Sequence, residues 1–183
     1  MMTERTLRIC SISGSLRSRS SHTALLEAAA ELAPAQMQLT LYEGLADLPP
    51  FNPELDIEPY PAAVEQFRER LRASDGVLIC TPEYANALPG VLKNALDWLV
   101  SSAELYDKPI GLISASPSPQ GGVHAFASLV LVLTMVNARI AEGATLLIPK
   151  LSGKLDGEGR LSDPVTSEAV KALLLALERT IRV

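Results

Sequence analysis

Two hydrophobic rhythms alternate along the chain. Short apolar runs, LRICSIS at Leu7–Ser13, GVLICT at Gly76–Thr81 and PIGLIS at residues 109–114, leave no room for a helix and predict buried strands. MQLTLYE at residues 37–43 alternates apolar and polar positions, as an edge strand would. A fifth strand is expected within residues 139–148, interrupted near Gly143. Between these runs, apolar residues recur at helical spacing: Leu25, Ala28, Ala29 and Leu32, then Val64, Phe67 and Leu71. Leu92, Leu96 and Leu99 follow Pro89, whose missing N–H suits the first turn of a helix. Residues 123–136 form a fourth helix. Asp163 and Pro164 start a last one, with Val170, Leu173, Leu174, Leu177 and Ile181 on one face.

Strands that alternate so regularly with helices imply an α/β fold of three layers, a parallel sheet with helices on both faces. Five strands predict the flavodoxin-like order 2-1-3-4-5, with a ligand where strands 1 and 3 diverge. No internal repeat breaks the pattern, and 183 residues suit one domain over residues 1–183. GLADLPPFNPELDIEPYP, residues 44–61, holds five of the 13 prolines and reads as an irregular surface loop. KLSGKLDGEGRLSDP, residues 150–164, reads as a solvated turn region with no part in the mechanism.

Composition adds exclusions. Hydrophobic residues make up 48% and charged residues 20%, ordinary for a globular protein. The net charge of −5 argues against nucleic acid and anionic membrane surfaces as partners. An anionic ligand therefore needs a locally positive pocket, which Arg17 and Arg19 offer. The run LVLVLTMV is too short to cross a bilayer, and MMTERTLRIC lacks the apolar core of a signal peptide. Cys10 and Cys80 lie in strand-like runs without metal or redox spacing, so both are expected to be inert buried thiols in a reducing compartment. A cytoplasmic protein is the expectation. His22 and His124 are the only histidines and lack further ligands at suitable spacing, so no metal site is expected.

Chemistry in a doubly wound sheet belongs to the loops leaving the carboxyl ends of the strands. After Gly14, seven of the next eight residues are Ser, Arg or His. Ser15, Ser18, Ser20 and Ser21 offer hydroxyl donors, Arg17 a charged one, and the following helix its free first-turn amides. This is a cradle for the phosphate of a mononucleotide, because the triple-glycine and Walker patterns are both missing. The alternative is a serine-rich loop that only caps a helix. The second loop, TPEYANALPG, begins with a stiff Thr81-Pro82 exit and presents Glu83 and Tyr84 to the crevice. The third, with Ser114, Ser116, Gly121 and Gly122, is placed to close the opposite side of a flat heteroaromatic ring.

GSLRSRSS, TPEYANALPGVLKNALDW and SASPSPQGG resemble, in order, three signature stretches of the NADPH-dependent FMN reductase family, which includes chromate, azo-dye and quinone reductases. The resemblance spans nearly the whole chain, and its second stretch is the most specific. It implies bound FMN, NADPH or NADH as co-substrate, a small-molecule electron acceptor, and a homodimer or homotetramer. Carried over by position, Ser15, Arg17 and Ser20 hold the FMN phosphate, Ser21 joins the cofactor-binding set, and His22 either contacts the phosphate side or only starts the helix. Pro82, Glu83, Tyr84 and Ala85 line the isoalloxazine and ribityl region, with Ser114 and Ser116 nearby. The flavin carries the chemistry, so no side chain is assigned a catalytic role.

The chain departs from the family pattern at several positions. His22 and Ala85 stand where the family carries Asn, Ala87 where it carries Ser, and Ser118 where it carries Gly. His124 and Val130 replace two arginines. Each lost neutral hydrogen bond costs about 0.5–1.5 kcal/mol, so the expectation is weaker FMN binding rather than none. The helix VHAFASLVLVLTMV is apolar nearly all round and is expected at a subunit interface, with Trp98 and Leu99 either joining that surface or lying in the core. Two rivals to the reductase reading are a flavodoxin-type electron carrier and a flavin-free binding member, the latter suggested by Ala85 and Ala87. A receiver-type signalling domain is excluded: strands 1 and 3 end in Ser13-Gly14 and Thr81-Pro82, without acidic residues.

Overall fold

In the computed structural model, which describes residues 5–183, all five strands run parallel in the order β2-β1-β3-β4-β5. The strands are β1 (Leu7–Ser13), β2 (Met37–Leu41), β3 (Gly76–Thr81), β4 (Pro109–Ala115) and β5 (Arg139–Ile148). The helices are α1 (Ser21–Leu32), α2 (Ala62–Arg72), α3 (Gly90–Asp97), α4 (Val123–Met135) and α5 (Pro164–Arg182).

The pleat sorts the core into two layers. Leu7 and Ile9 of β1, Leu78 and Cys80 of β3, and Ile113 and Ala115 of β4 face α1 and α5. The intervening Cys10, Ile12, Val77, Ile79, Ile110 and Leu112 face α2, α3 and α4. Strands buried on both faces need continuous apolar runs, which is why their sequences do not alternate. Burial pushes both thiols up, Cys10 to about 11 and Cys80 further, so both stay protonated. Trp98 and Leu99 are fully buried in the α3 layer and take no part in an outer surface. Among the described residues, no helix is long and apolar enough to cross a membrane.

Several boundaries differ from expectation. Pro89 caps α3 from outside rather than sitting in its first turn, and β2 ends at Leu41. The irregularity near Gly143 (φ +77°) is a register shift within one continuous β5. Residues 44–61 include two 3-10 turns, and Leu45 and Leu48 anchor the segment in the core. Residues 150–164 are not merely solvated. Leu151 is buried, Leu155 and Leu161 pack on the α5 layer as an antiparallel bridge, and the turn between them walls a cleft of about 830 Å³ against Ser18–Ser21.

Candidate functional site

The register pairs Ser13 with Cys80, Thr81 with Ser114 and Ala115 with Ile148, so four strands end at nearly one level. The β1–α1, β3–α3 and β4–α4 loops all leave from that edge. At Gly14 the chain passes so close to β3 that a Cβ would stand 3.0 Å from Thr81 Oγ1 and 3.3 Å from Pro82. Any larger residue there would have to push these side chains aside.

Beyond Gly14, the β1–α1 loop turns its donors outward. Ser20 is the N-cap of α1, its Oγ accepting from the amides of His22 (3.2 Å) and Thr23 (3.4 Å). A hydroxyl that accepts in this way keeps its own proton to donate. Ser15 is buried beside it, and Ser21 opens the helix half-buried. Among the described residues, the amides of Leu16, Ser18 and Arg19 meet no protein acceptor, and Arg17 and Arg19 are exposed without a carboxylate partner. Free amides, a hydroxyl with a spare proton, a helix N-terminus and a guanidinium are the donor set a phosphate monoester needs. The residues fit that group.

His22 is placed differently. It is buried, and its Nε2–H donates to the Ala115 carbonyl across 2.9 Å, tying the first turn of α1 to the end of β4. Burial lowers its pKa, the carbonyl partly opposes that, and the nearby Arg17 charge lowers it further. The imidazole is thus neutral, and its Nε2 is engaged with the scaffold.

The other two loops are tied to each other. Thr81 Oγ1 donates to the Pro82 carbonyl at 2.9 Å and Pro82 is buried, which stiffens the exit from β3. Glu83 does not turn its carboxylate into the crevice. Its Oε2 accepts from the amides of His124 (2.8 Å) and Ala125 (3.0 Å) and caps α4, whose own N-cap is Gly122. Ser114 is likewise withdrawn, because its fully buried Oγ donates to the Gly122 carbonyl at 2.8 Å. Gly122 has φ +82°, and a Cβ there would lie 2.5 Å from that hydroxyl. Ser116 Oγ accepts from the Ser118 amide at 3.1 Å and shapes the third loop. Between these anchors, Tyr84 and Ala87 exchange two backbone hydrogen bonds of 3.0 Å around Ala85 (φ +50°) and Asn86 (φ +58°). Two successive left-handed residues make a type I′ turn, and it leaves Tyr84 half exposed at the rim.

The structure thus gathers the predicted residues at one sheet edge but divides their roles. Ser15, Arg17, Ser20 and Ser21 lie in the donor-rich β1–α1 loop and first helical turn, while Pro82, Tyr84 and Ala85 lie in the β3–α3 loop and Ser116 in the β4–α4 loop. Glu83, Ser114 and His22 hold the loops in place through their side chains. Sequence reasoning missed Thr23, whose Oγ1 donates to Ser13 Oγ at 3.1 Å and ties α1 to the end of β1. Both residues lie at the borders of the predicted loop, and that position was the only available signal.

The family model for NADPH-dependent FMN reductase matches residues 7–152. The chain is 34% identical to an NAD(P)H-dependent FMN reductase of Pseudomonas aeruginosa over 178 residues, covering 96% of each protein. It is 35% identical to an NADPH:quinone oxidoreductase of Arabidopsis thaliana over 181 residues, covering 94% of this chain and 90% of that protein. Among solved structures it resembles FerB, a flavoenzyme NAD(P)H:(acceptor) oxidoreductase from Paracoccus denitrificans. That match has a TM-score of 0.86 and 27% identity, and covers 96% and 97% of the two chains. With the fold, the three loops and these relatives in agreement, the chain belongs to the NADPH-dependent FMN reductase family.

Proposed function

We propose that this protein is an NAD(P)H-dependent FMN oxidoreductase that passes electrons from a nicotinamide to a small acceptor. The acceptor class is a quinone, an azo compound, a metal oxyanion or a free flavin. The observation that carries the reading is the β1–α1 loop, where unpaired amides, the Ser20 hydroxyl and the exposed Arg17 guanidinium lie together at the start of α1. Bound FMN supplies hydride acceptance and onward electron transfer. The chain's own residues bind and orient it. Arg17 and the loop amides hold the phosphate, and Ser15, Ser20 and Ser21 surround it. Pro82, Tyr84 and Ala85 wall the ring, and Ser116 shapes the loop on its other side. Glu83, Ser114 and His22 fix the distances between the three loops.

The Arabidopsis relative supports a quinone as the first acceptor to try. Titration with FMN, followed by anaerobic addition of NADPH or NADH, tests the proposal. Saturable binding and bleaching by either nucleotide are expected. Binding without bleaching would instead assign the chain to the electron carriers, and no binding would make it a flavin-free family member.

The assembly is proposed to be a cytoplasmic homodimer or homotetramer of a single FMN-binding domain. On α4, Ala125, Leu129 and Leu133 face the core, while Leu131 and Met135 remain 72% and 57% exposed. An apolar outer stripe of this kind supports a subunit contact. Sedimentation as a monomer at micromolar concentration would contradict it.

A further inference from the structure

The motif LKNALDW, residues 92–98, is the most specific stretch of the sequence, yet none of its side chains belongs to the donor set described above. Asn94 and Trp98 point elsewhere. Asn94 Nδ2 donates to the Pro49 carbonyl at 2.9 Å, and its Oδ1 accepts from the Phe51 amide at 2.7 Å. One primary amide thus satisfies a donor and an acceptor two residues apart, as a neighbouring strand would. Trp98 Nε1 donates to the same Pro49 carbonyl at 2.8 Å, and the Phe51 ring meets the Trp98 ring edge-on at 5.0 Å.

A second anchor lies further along the same segment. The buried Arg68 Nη2 donates to Asp56 at 2.7 Å and to the Trp98 carbonyl at 2.6 Å, with the Tyr60 ring 4.6 Å from the guanidinium carbon.

These contacts fix residues 42–61, the segment that leaves the carboxyl end of β2. Strand β2 lies parallel to β1, and the Tyr42 amide donates to the Ser11 carbonyl at 2.8 Å, so the segment emerges beside the β1–α1 loop. It then meets α3 at Asn94, four residues past Gly90. There the chain has just come from the Tyr84–Ala87 turn that walls the crevice. The segment thus starts at the same sheet edge as the β1–α1 loop and is held against α3, the helix that follows the Tyr84–Ala87 turn.

We infer that Asn94 and Trp98 are positioning residues that hold the β2–α2 segment as an outer wall of the crevice and so set the access of the electron acceptor. The inference rests on the oxidoreductase reading above. It accounts for a motif that cofactor contact leaves unexplained, because the amide and the indole spend their polar atoms on backbone rather than on a ligand.

The test uses the FMN-loaded full chain with Asn94→Ala, and with Trp98→Phe, which keeps a smaller ring against Phe51 and removes the indole donor. Four quantities are measured: FMN affinity, anaerobic bleaching by NADPH, the KM and kcat for a naphthoquinone, and the rate of proteolysis within residues 50–58. Expected are wild-type FMN affinity and bleaching, faster cleavage, and a roughly two- to tenfold rise in the quinone KM with kcat little changed. Faster cleavage with an unaltered KM would overturn the assignment to acceptor access, and unaltered cleavage would overturn the anchoring itself. Should wild-type protein bind FMN yet resist bleaching by either nucleotide, the oxidoreductase reading and the acceptor-access role fail together, while cleavage still tests the anchor. If Asn94→Ala does not fold, Trp98→Phe gives the same decision.

Discussion

The carboxylate of Glu83 lies 2.8 Å from the amide of His124, forty-one residues later in the chain, and closes the N-terminus of a helix that begins with glycines. Because α4 has no capping side chain of its own, one loop of the crevice holds another in place. Glu83→Ala is expected to lower the unfolding free energy by about 1–2 kcal/mol through loss of this cap and of the favourable charge at the helix end. It should also weaken FMN binding, because the β4–α4 loop is released. Urea denaturation and flavin titration check both, and wild-type stability in the variant would show that the cap contributes nothing.

Arg17 is exposed and has no carboxylate partner among the described residues, so its charge is available to a ligand. Arg17→Ala should weaken FMN binding roughly tenfold or more, since a charge-assisted hydrogen bond is worth about 1.5–3 kcal/mol. Quenching of flavin fluorescence on titration measures it. Unchanged affinity would place the phosphate elsewhere.

Ala85 occupies the first left-handed position of the Tyr84–Ala87 turn, where an L-residue with a plain Cβ is disfavoured by about 1–2 kcal/mol. Asn tolerates that conformation, so Ala85→Asn is expected to stabilise the protein by roughly 0.5–1 kcal/mol. A thermal midpoint at or below that of the wild type would contradict the turn assignment.

His22 makes stability depend on pH. Burial holds its folded pKa below the ordinary value of 6.5, with the Ala115 hydrogen bond opposing and Arg17 adding to the shift. The unfolded chain therefore takes up a proton first as the pH falls. Stability from the neutral imidazole is complete above about 6.5 and is lost below it, until the folded protein protonates as well. The slope from one such group cannot exceed about 1.4 kcal/mol per pH unit. His22→Gln should flatten this part of the unfolding free energy between pH 7.5 and 5.5, and an unchanged slope would assign it to other groups.

These positions also show how far the sequence could be read. The strands followed from apolar runs whose length excludes helices, as in β1 and β3, where burial on both faces leaves little ambiguity, and their order from the doubly wound pattern that five alternating strands suggest. The donor-rich loop after Gly14 was legible because its residue types are unusual next to a buried strand. The partners of Glu83, Ser114 and His22 were not legible. A carboxylate, a hydroxyl and an imidazole in a crevice loop serve a ligand or a distant backbone equally well, and only the tertiary arrangement selects the partner. Trp98 shows the same limit: its indole reads alike on a surface or in a core until Pro49 is seen beneath it. The 150–164 segment misled through its polar composition, because three leucines among the glycines and charges are enough to seat it.

The sealed thiols bear directly on the proposed choice of a quinone as acceptor. Quinones are electrophiles that alkylate cysteine thiolates, so a quinone in the crevice would challenge any ionised thiol it could reach. Burial pushes the Cys10 thiol up to about 11 and the Cys80 thiol further, so both stay protonated at neutral pH. Both sulfurs also lie beneath the helices, out of reach of an acceptor in the crevice. The same apolar packing that builds the sheet therefore keeps both thiols away from an electrophile outside.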